Sequence, residues 1–337
     1  MQQKQAKKRV ISLLLVLSMV VFAQAAEVSS LIPIGHTVGI QMSAEGVLVV
    51  RLDDVQTAQG AVCPARDAGV REGDLIVGVG GAEIDANDEL QKQVALSAGQ
   101  PIELTLQSGD STRTVTVTPC EDTEGVYRIG VLARDGMAGI GTLTYVDPGT
   151  GEYGSLGHGI CDSETGGLLP LKDGALIRSS VSSVQRGEAG EPGALQGEFS
   201  ADGTVGTVED NTDSGIFGTL TDTSVYDSLE AVPIATADEI HTGEAEILSN
   251  IEGDTVQRYS VQIAKVYPED DEYGRGMLLH VTDEELIEKT GGIVQGMSGS
   301  PILQDGKLIG AVTHVLVNDP TQGYGICIER MLEAAES

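Results

Sequence analysis

The sequence predicts a mainly β protein of two domains, in which a smaller α+β domain precedes a larger domain built from β-barrels. The chain has 337 residues, which is enough for two domains that each bury a core. Aromatic residues make up only 3% of it and Trp is absent, whereas 44 residues are Gly. The cores must therefore consist mainly of Val, Ile, Leu and Ala, a composition that favours strands and turns.

The N-terminal segment has the pattern of an export signal. Residues 4–9 carry four basic side chains, an apolar run extends from Val10 to Ala23, and Ala23-Gln24-Ala25 has the small-x-small form of a signal-peptidase site. The run is shorter than the ~20 residues of a bilayer-spanning helix. We expect residues 1–26 to be a signal peptide or an N-terminal anchor and the protein to be exported.

Charge and cysteine content exclude several classes of function. The 51 acidic residues outnumber the 20 basic ones and give a net charge of −31, which repels nucleic acid and anionic lipid. The four cysteines lie far apart and show no metal-ligand spacing: Cys63, Cys120, Cys161 and Cys327. We therefore expect no metal, no cofactor and no nucleic-acid partner. A Cys63–Cys120 disulfide is an alternative to buried thiols.

The region from residue 31 to 120 alternates strand and helix patterns. Val47–Val50 and Leu75–Val79 are predicted strands, Ala86–Ala98 is a predicted helix, and residues 102–107 and 112–118 form a predicted hairpin. The phrase from Ala68 to Gly81, AGVREGDLIVGVGG, resembles the helix-to-strand segment of bacterial PDZ domains. The resemblance implies a PDZ domain over residues 31–120.

A peptide-binding loop is predicted at the start of this domain. Val38-Gly39-Ile40 stands where PDZ domains bind a peptide's C-terminal carboxylate through successive backbone N–H groups. An extended peptide would then add as a strand beside residues 39–42 and face the predicted helix. The alternative is a groove that is filled by the protein's own chain or serves only for packing.

Residues 127–337 are rich in glycine and in strand patterns. Segments between Gly187 and Asp227 suggest extended surface loops, and β-runs are predicted at residues 256–266 and 277–281. One strong helix signal follows, with Thr282 and Glu285 as a capping-box pair and Gly291 as its stop.

The most informative motif is Gly296-Met297-Ser298-Gly299-Ser300-Pro301. A nucleophilic serine needs an exposed hydroxyl on a tight turn whose N–H groups converge on the oxygen of the attacked carbonyl. The motif resembles the nucleophile loop of chymotrypsin-like peptidases, in which the N–H groups equivalent to those of Gly296 and Ser298 form the oxyanion hole. Residues 301–303 and 308–314, joined by a Gln-Asp-Gly-Lys turn, form a predicted hairpin that would brace the loop in a six-stranded barrel.

Five histidines are available as the general base. His158 lies between glycines on a predicted turn and is the first choice, and His314, at the end of an apolar strand, is the second. His36 falls in the predicted carboxylate loop, and His241 and His280 lack a distinctive context.

Residues 127–330 resemble the peptidase domain of the stage IV sporulation protein B family. Three segments carry this resemblance: GHGI at residues 157–160, TGGIVQGMSGSPI at residues 290–302, and GAVTHV at residues 310–315 with Asn318-Asp319-Pro320. It implies a chymotrypsin-like double β-barrel serine peptidase domain over residues 127–337, with His158, Asp283 and Ser298 as the triad. Asp162, Asp210 and Asp213 are alternatives for the acid. A cysteine peptidase built on Cys161 is a competing chemistry.

The resemblance also implies a biological role. It is that of an exported serine endopeptidase of sporulation signalling, which cleaves itself and then a membrane-bound regulatory protein, so that a sigma factor is activated. The implied location is the space between the forespore and mother-cell membranes. The alternative is a catalytically inactive PDZ scaffold that binds peptide C-termini.

Overall fold

The computed structural model describes residues 29–109, 111–267 and 275–337. The predicted signal segment at residues 1–26 lies outside these ranges. No helix within them combines the length and the apolar character needed to cross a bilayer. Residues 31–337 group into one compact unit.

Strands dominate the described residues, and helices are short. In chain order the strands are β1 (Ser30–Pro33), β2 (Thr37–Leu52), β3 (Val55–Thr57), β4 (Gly60–Val62), β5 (Leu75–Val79), β6 (Ala82–Glu83), β7 (Ile102–Ser108), β8 (Ser111–Val117), β9 (Cys120–Glu121), β10 (Tyr127–Arg128), β11 (Val131–Val146), β12 (Glu152–Ser155), β13 (Leu171–Gln185), β14 (Ala194–Val208), β15 (Asp210–Thr212), β16 (Gly215–Thr219), β17 (Val232–Pro233), β18 (Gly243–Ser249), β19 (Gln257–Val266), β20 (Met277–Val281), β21 (Pro301–Gln304), β22 (Lys307–Leu316) and β23 (Asp319–Cys327). The helices are α1 (Pro64–Asp67), α2 (Asn87–Leu96), α3 (Glu284–Thr290) and α4 (Ile328–Ala335).

Two large sheets contain most of these strands, and β3 with β4 and β9 with β10 form two small two-stranded sheets. A 13-stranded sheet has the main order β15-β16-β12-β11-β2-β5-β7-β8, and a closed barrel has the order β18-β19-β20-β23-β22-β21. The long strands β2 and β11 pair antiparallel over most of their length, from Leu52 opposite Val131 to Thr37 opposite Thr142. They connect the α+β region with the strands that carry the candidate catalytic residues.

Three hydrophobic cores lie along the chain. The first includes Val47, Ile76, Leu90 and Leu104 of the α+β region. The second joins residues 32–44 to β11, β12, β13 and β16, and the third fills the closed barrel. Residues 32–44, which the sequence analysis assigns to the first domain, therefore pack in the second core.

Several predicted elements are confirmed. Strand β5 has the predicted bounds, α2 lies within the predicted helix, and β7 with β8 forms the predicted hairpin. The hairpin of β21 and β22 turns at Asp305 and Gly306, which both have positive φ.

Two local predictions were wrong. The predicted surface loops between residues 187 and 227 contain β14, which pairs along its length with β13, and also β15 and β16. Glycines in these strands permit close approach, since a Cβ on Gly206 would lie 2.6 Å from the Thr219 carbonyl oxygen. Helix α3 is capped by Asp283 rather than by Thr282.

Candidate active site

The nucleophile loop joins the end of α3 to the first strand of the barrel hairpin. Ser298 is half-buried between the buried residues Met297 and Gly299. Its Oγ donates a hydrogen bond to the carbonyl oxygen of Thr313 on β22 at 2.7 Å. The hydroxyl must leave this acceptor before it can donate to an imidazole.

Strand β11 holds this loop from the other side. The Thr142 Oγ1 donates to the Gly296 carbonyl at 2.7 Å, and the Thr142 amide donates to the Ser298 carbonyl at 2.9 Å. The Thr144 Oγ1 donates to the Gly299 carbonyl at 2.8 Å. Both threonines are fully buried. Sequence reasoning missed them, because no local pattern links residues more than 150 positions apart.

The predicted oxyanion donors, Gly296 and Ser298, lie on one turn. Gly296 has φ of +97°, and its carbonyl is turned to Thr142. The neighbouring Met297 and Gly299 amides donate to Val294 and Val312 carbonyls, whereas the Gly296 and Ser298 amides have no recorded acceptor within the described residues. Two such N–H groups on one turn can bind an oxyanion.

His158 presents a neutral imidazole of defined tautomer. Its Nδ1 lies 2.9 Å from the carbonyl oxygen of Gly159. Because a carbonyl only accepts, Nδ1 carries the proton and Nε2 keeps the lone pair that a general base needs. Burial lowers the pKa of His158, and the Gly159 hydrogen bond only partly offsets that effect.

One cavity brings the candidate groups together. It has a volume of about 660 Å³ and is lined by His158, Ser298 and His314. The rings of His158 and His314 have centroids 4.9 Å apart and are tilted by 36°. Of the five histidines, the first and second choices for the base thus lie on the cavity that holds the serine.

The pH dependence of cleavage tests the role of His158. A general base acts in its neutral form, so a lowered pKa moves the loss of activity to more acidic pH. We expect kcat/KM to be at its maximum at pH 7. As the pH is lowered, kcat/KM should fall with a midpoint below pH 6.5, which is the ordinary pKa of His. His314→Gln should keep this midpoint, whereas His158→Gln should remove the activity. A midpoint above 6.5 in the wild type would contradict His158, with its lowered pKa, as the base.

The predicted triad acid does not reach this cavity. Asp283 is the N-cap of α3, where its Oδ1 accepts from the Leu286 amide at 3.0 Å and its Oδ2 accepts from the Ser260 amide at 3.2 Å. It is absent from the cavity lining, and the proton on His158 Nδ1 is bound by the Gly159 carbonyl instead. The assignment of Asp283 as orienter is therefore corrected to a helix cap.

Substitution of Asp283 distinguishes a role as helix cap from a role as triad acid. Asparagine is as good an N-cap as aspartate, so we expect Asp283→Asn to keep kcat within about two-fold, and Asp283→Ala to lower the free energy of unfolding by about 1 kcal/mol. A triad acid would instead lose about 10⁴-fold in kcat on change to Asn. Peptide turnover and thermal melts of both variants decide between them. A folded but inactive Asp283→Asn protein would restore the triad role.

Of the three alternatives for the triad acid, Asp213 is the one that lines the cavity with His158. Asp162 is fully buried and accepts from the Glu164 and Thr165 amides, with Arg134 at 3.1 Å. Asp210 is exposed on β15, whereas the exposed Asp213 lines the cavity with His158.

The competing thiol is poorly activated. Cys161 lines the cavity, but partial burial and then the negative charge of Asp213 raise the pKa of its thiol. A raised pKa lowers the thiolate fraction that a cysteine nucleophile requires.

The predicted peptide loop is not a loop. Val38, Gly39 and Ile40 lie in the middle of β2, which pairs there with β11 on one edge and with β13 on the other. No edge remains for an added strand, so this assignment is corrected. Gly39 is needed for packing, since a Cβ there would lie 2.5 Å from the Phe199 ring.

A groove suited to an extended peptide lies elsewhere in the α+β region. Helix α2 faces the segment from Tyr127 to Ala133 across a cavity of about 660 Å³. Residues 131–134 pair with β2 on one edge only among the described residues. On the edge towards the helix, the Ala133 carbonyl accepts a long hydrogen bond from the Asn87 side chain at 3.5 Å, which an added strand would replace. The triplet Ile129-Gly130-Val131 repeats the pattern of Val38-Gly39-Ile40 and could have indicated this place.

Comparison with known families agrees with this architecture. The sequence model described as SpoIVB peptidase S55 matches residues 125–332, which is well over half of the chain. The chain belongs to the SpoIVB peptidase S55 family. A second model, described as the Tricorn protease PDZ domain, matches residues 39–122 of this S55 peptidase.

Individual relatives match shorter parts of the S55 peptidase. A protein of Clostridium perfringens (strain 13 / Type A), whose name places it among zinc metalloproteases, is 32% identical over 68 residues, and this match spans a fifth of each chain. Among solved structures, the PDZ domain of an SdrC-like protein of Listeria monocytogenes has 21% identity and a TM-score of 0.21, covering 26% of this chain and 87% of that one. The active form of the Rv3671c protease of M. tuberculosis has 14% identity and a TM-score of 0.34, and the match covers 59% of this chain and 73% of that one.

The S55 peptidase is thus a mainly β protein with a PDZ domain and a chymotrypsin-like protease fold, in which one of the two predicted barrels is closed within the described residues and the other is not. The family model that it matches is that of a peptidase.

Proposed function

We propose that this S55 peptidase is exported and acts in sporulation signalling. It cuts itself near its N-terminus and then a membrane-bound regulatory protein, in the space between the forespore and mother-cell membranes, so that a sigma factor is activated. The family membership and the basic and apolar segment that ends at Ala23-Gln24-Ala25 support this role.

The chemistry follows from the groups on the cavity. His158 Nε2 removes the proton of the Ser298 hydroxyl while Oγ bonds to the peptide carbonyl carbon. The Gly296 and Ser298 amides stabilise the resulting oxyanion, and the imidazolium gives the proton to the leaving amine, so that the C–N bond breaks. Water then attacks the acyl-enzyme with His158 as base, and the serine is restored.

A single observation carries the proposal. The serine and a neutral imidazole line one cavity, and two amides without a recorded acceptor among the described residues lie on the serine's own turn. His158 keeps its Nδ1 proton on a backbone carbonyl, so a basic Nε2 does not depend on a carboxylate.

The PDZ domain adds a site for an extended segment of a protein substrate. The open edge of residues 131–134 offers backbone groups, and Leu90 and Val94 of α2 offer an apolar wall.

Self-cleavage can be tested in trans. An epitope-tagged full-length Ser298→Ala chain serves as substrate for a small amount of untagged wild type. We expect the tagged chain to lose an N-terminal piece, and the same chain to stay intact with His158→Ala enzyme. An intact tagged chain beside rapid cleavage of a model peptide would leave an endopeptidase without self-cleavage, which would contradict this part of the proposal.

A further inference from the structure

The cavity beside Ser298 has an aliphatic wall. Ile293 and Val294 are each 2% exposed and come shortly before the oxyanion residue Gly296 in the chain. Val315 of β22 also lines the cavity. The carbonyl that Ser298 attacks must lie at the Gly296 and Ser298 amides. The residue that bears this carbonyl therefore has its side chain in the cavity that this wall lines.

Backbone hydrogen bonds fix the wall in place. The Gln295 amide donates to the Gly193 carbonyl at 2.9 Å, and the Leu195 amide donates to the Gln295 carbonyl at 2.8 Å. The Ile293 amide donates to the Pro320 carbonyl at 2.8 Å. The wall is thus held by β14 on one side and β23 on the other, so the subsite is formed before a substrate binds.

Strand β22 offers an edge along which a substrate can lie. Residues 307–311 pair with β21, whereas Val315 has a ladder partner on β23 and none on β21 among the described residues. An extended peptide added to the open edge alternates its side chains between two faces. Every second side chain can then point into the cavity.

Charges on the lining do not favour an ionic side chain at the wall. The carboxylate of Asp213 is the one acidic group among the lining residues of the described chain, and no Lys or Arg is among them. Asp213 lies in the turn between β15 and β16, close enough to Cys161 for its negative charge to raise the pKa of that thiol. A charged side chain against the aliphatic wall would lose its hydration without gaining a partner.

We propose that this S55 peptidase cleaves after a large aliphatic residue of the Leu, Ile or Met kind, whose side chain fills the subsite of Ile293, Val294 and Val315. This specificity rests on the proposed catalytic role of Ser298.

A set of peptides that differ only in the residue bearing the attacked carbonyl tests the proposal. We expect kcat/KM for Leu to exceed that for Ala by about ten-fold or more, and Lys and Glu to be cut more slowly than Ala. Val315→Phe should reverse the ratio of Leu to Ala by filling the subsite. Val62→Phe, a change at an exposed valine of β4, should leave the ratio unchanged.

The outcomes separate specificity from catalysis. A preference for Lys that disappears in Asp213→Asn would overturn the aliphatic subsite in favour of a basic side chain bound by that carboxylate. Equal cleavage of all peptides, with Ser298 labelled by a serine-selective phosphonate, would overturn the subsite alone. No cleavage and no labelling would overturn the catalytic assignment as well. If Val315→Phe fails to fold, the wild-type ratios decide.

Discussion

Replacement of Ser298 by alanine is expected to lower kcat by on the order of 10⁴- to 10⁶-fold, because the hydroxyl that forms the acyl-enzyme is lost. The fold should be unaffected. The one recorded hydrogen bond of the hydroxyl goes to the Thr313 carbonyl, so its loss costs about 1 kcal/mol. Turnover of a fluorogenic peptide and a thermal melt measure the two effects.

Ser300 provides a matched control two positions along the same loop. Its Oγ is buried and has no recorded hydrogen-bond partner within the described residues, so its removal breaks no interaction. We expect Ser300→Ala to keep wild-type activity and to melt at or slightly above the wild-type temperature. Residual cleavage by Ser298→Ala at the level of Ser300→Ala would contradict Ser298 as the nucleophile.

Gly299→Ala is the second change with a large expected effect. A Cβ at this position would overlap the Thr142 carbonyl oxygen and lie 2.6 Å from the Leu156 amide nitrogen, and the residue has φ of +94°. Both obstacles are backbone atoms, so the nucleophile loop must move away from β11. A shift of about 1 Å in a catalytic group costs about 10²-fold in rate. We expect at least that loss, with a fall of about 4 kcal/mol in the free energy of unfolding.

Gly306→Ala measures the cost of a positive φ in a residue other than glycine, without a steric clash of the added Cβ. Gly306 has φ of +78°, but a Cβ there meets nothing within 4 Å. We expect a cost of about 1–2 kcal/mol and normal activity. If Gly299→Ala behaved like Gly306→Ala in melting and turnover, the loop would not depend on its tight packing against β11.

Local patterns predicted much of this architecture. Strand β5, helix α2 and the hairpin of β21 and β22 follow from apolar periodicity and from turn residues such as Asp305 and Gly306, whose backbone preference is local. Strand β14 escaped prediction because its glycines serve strand packing, as Gly206 shows against Thr219. Composition alone cannot distinguish such glycines from those of loops.

The site was predictable where its chemistry is local. The motif around Ser298 and the turn at His158 indicated two groups that the structure brings to one cavity. The hydrogen bonds from Thr142 and Thr144 to the nucleophile loop join distant segments of the chain, so no local sequence pattern could reveal them. The role of Asp283 as triad acid came from the family resemblance alone, whereas the structure places its side chain at the N-cap of α3, where aspartate is favoured for local reasons.

Activation of Ser298 by His158 is the central claim, and covalent labelling tests it most directly. A fluorophosphonate reacts with a serine only where a base has activated it, and mass spectrometry locates the adduct. We predict an adduct on Ser298 in the wild type and in Asp283→Asn, and none in His158→Ala. Equal labelling of His158→Ala, or an adduct on another residue, would contradict the claim.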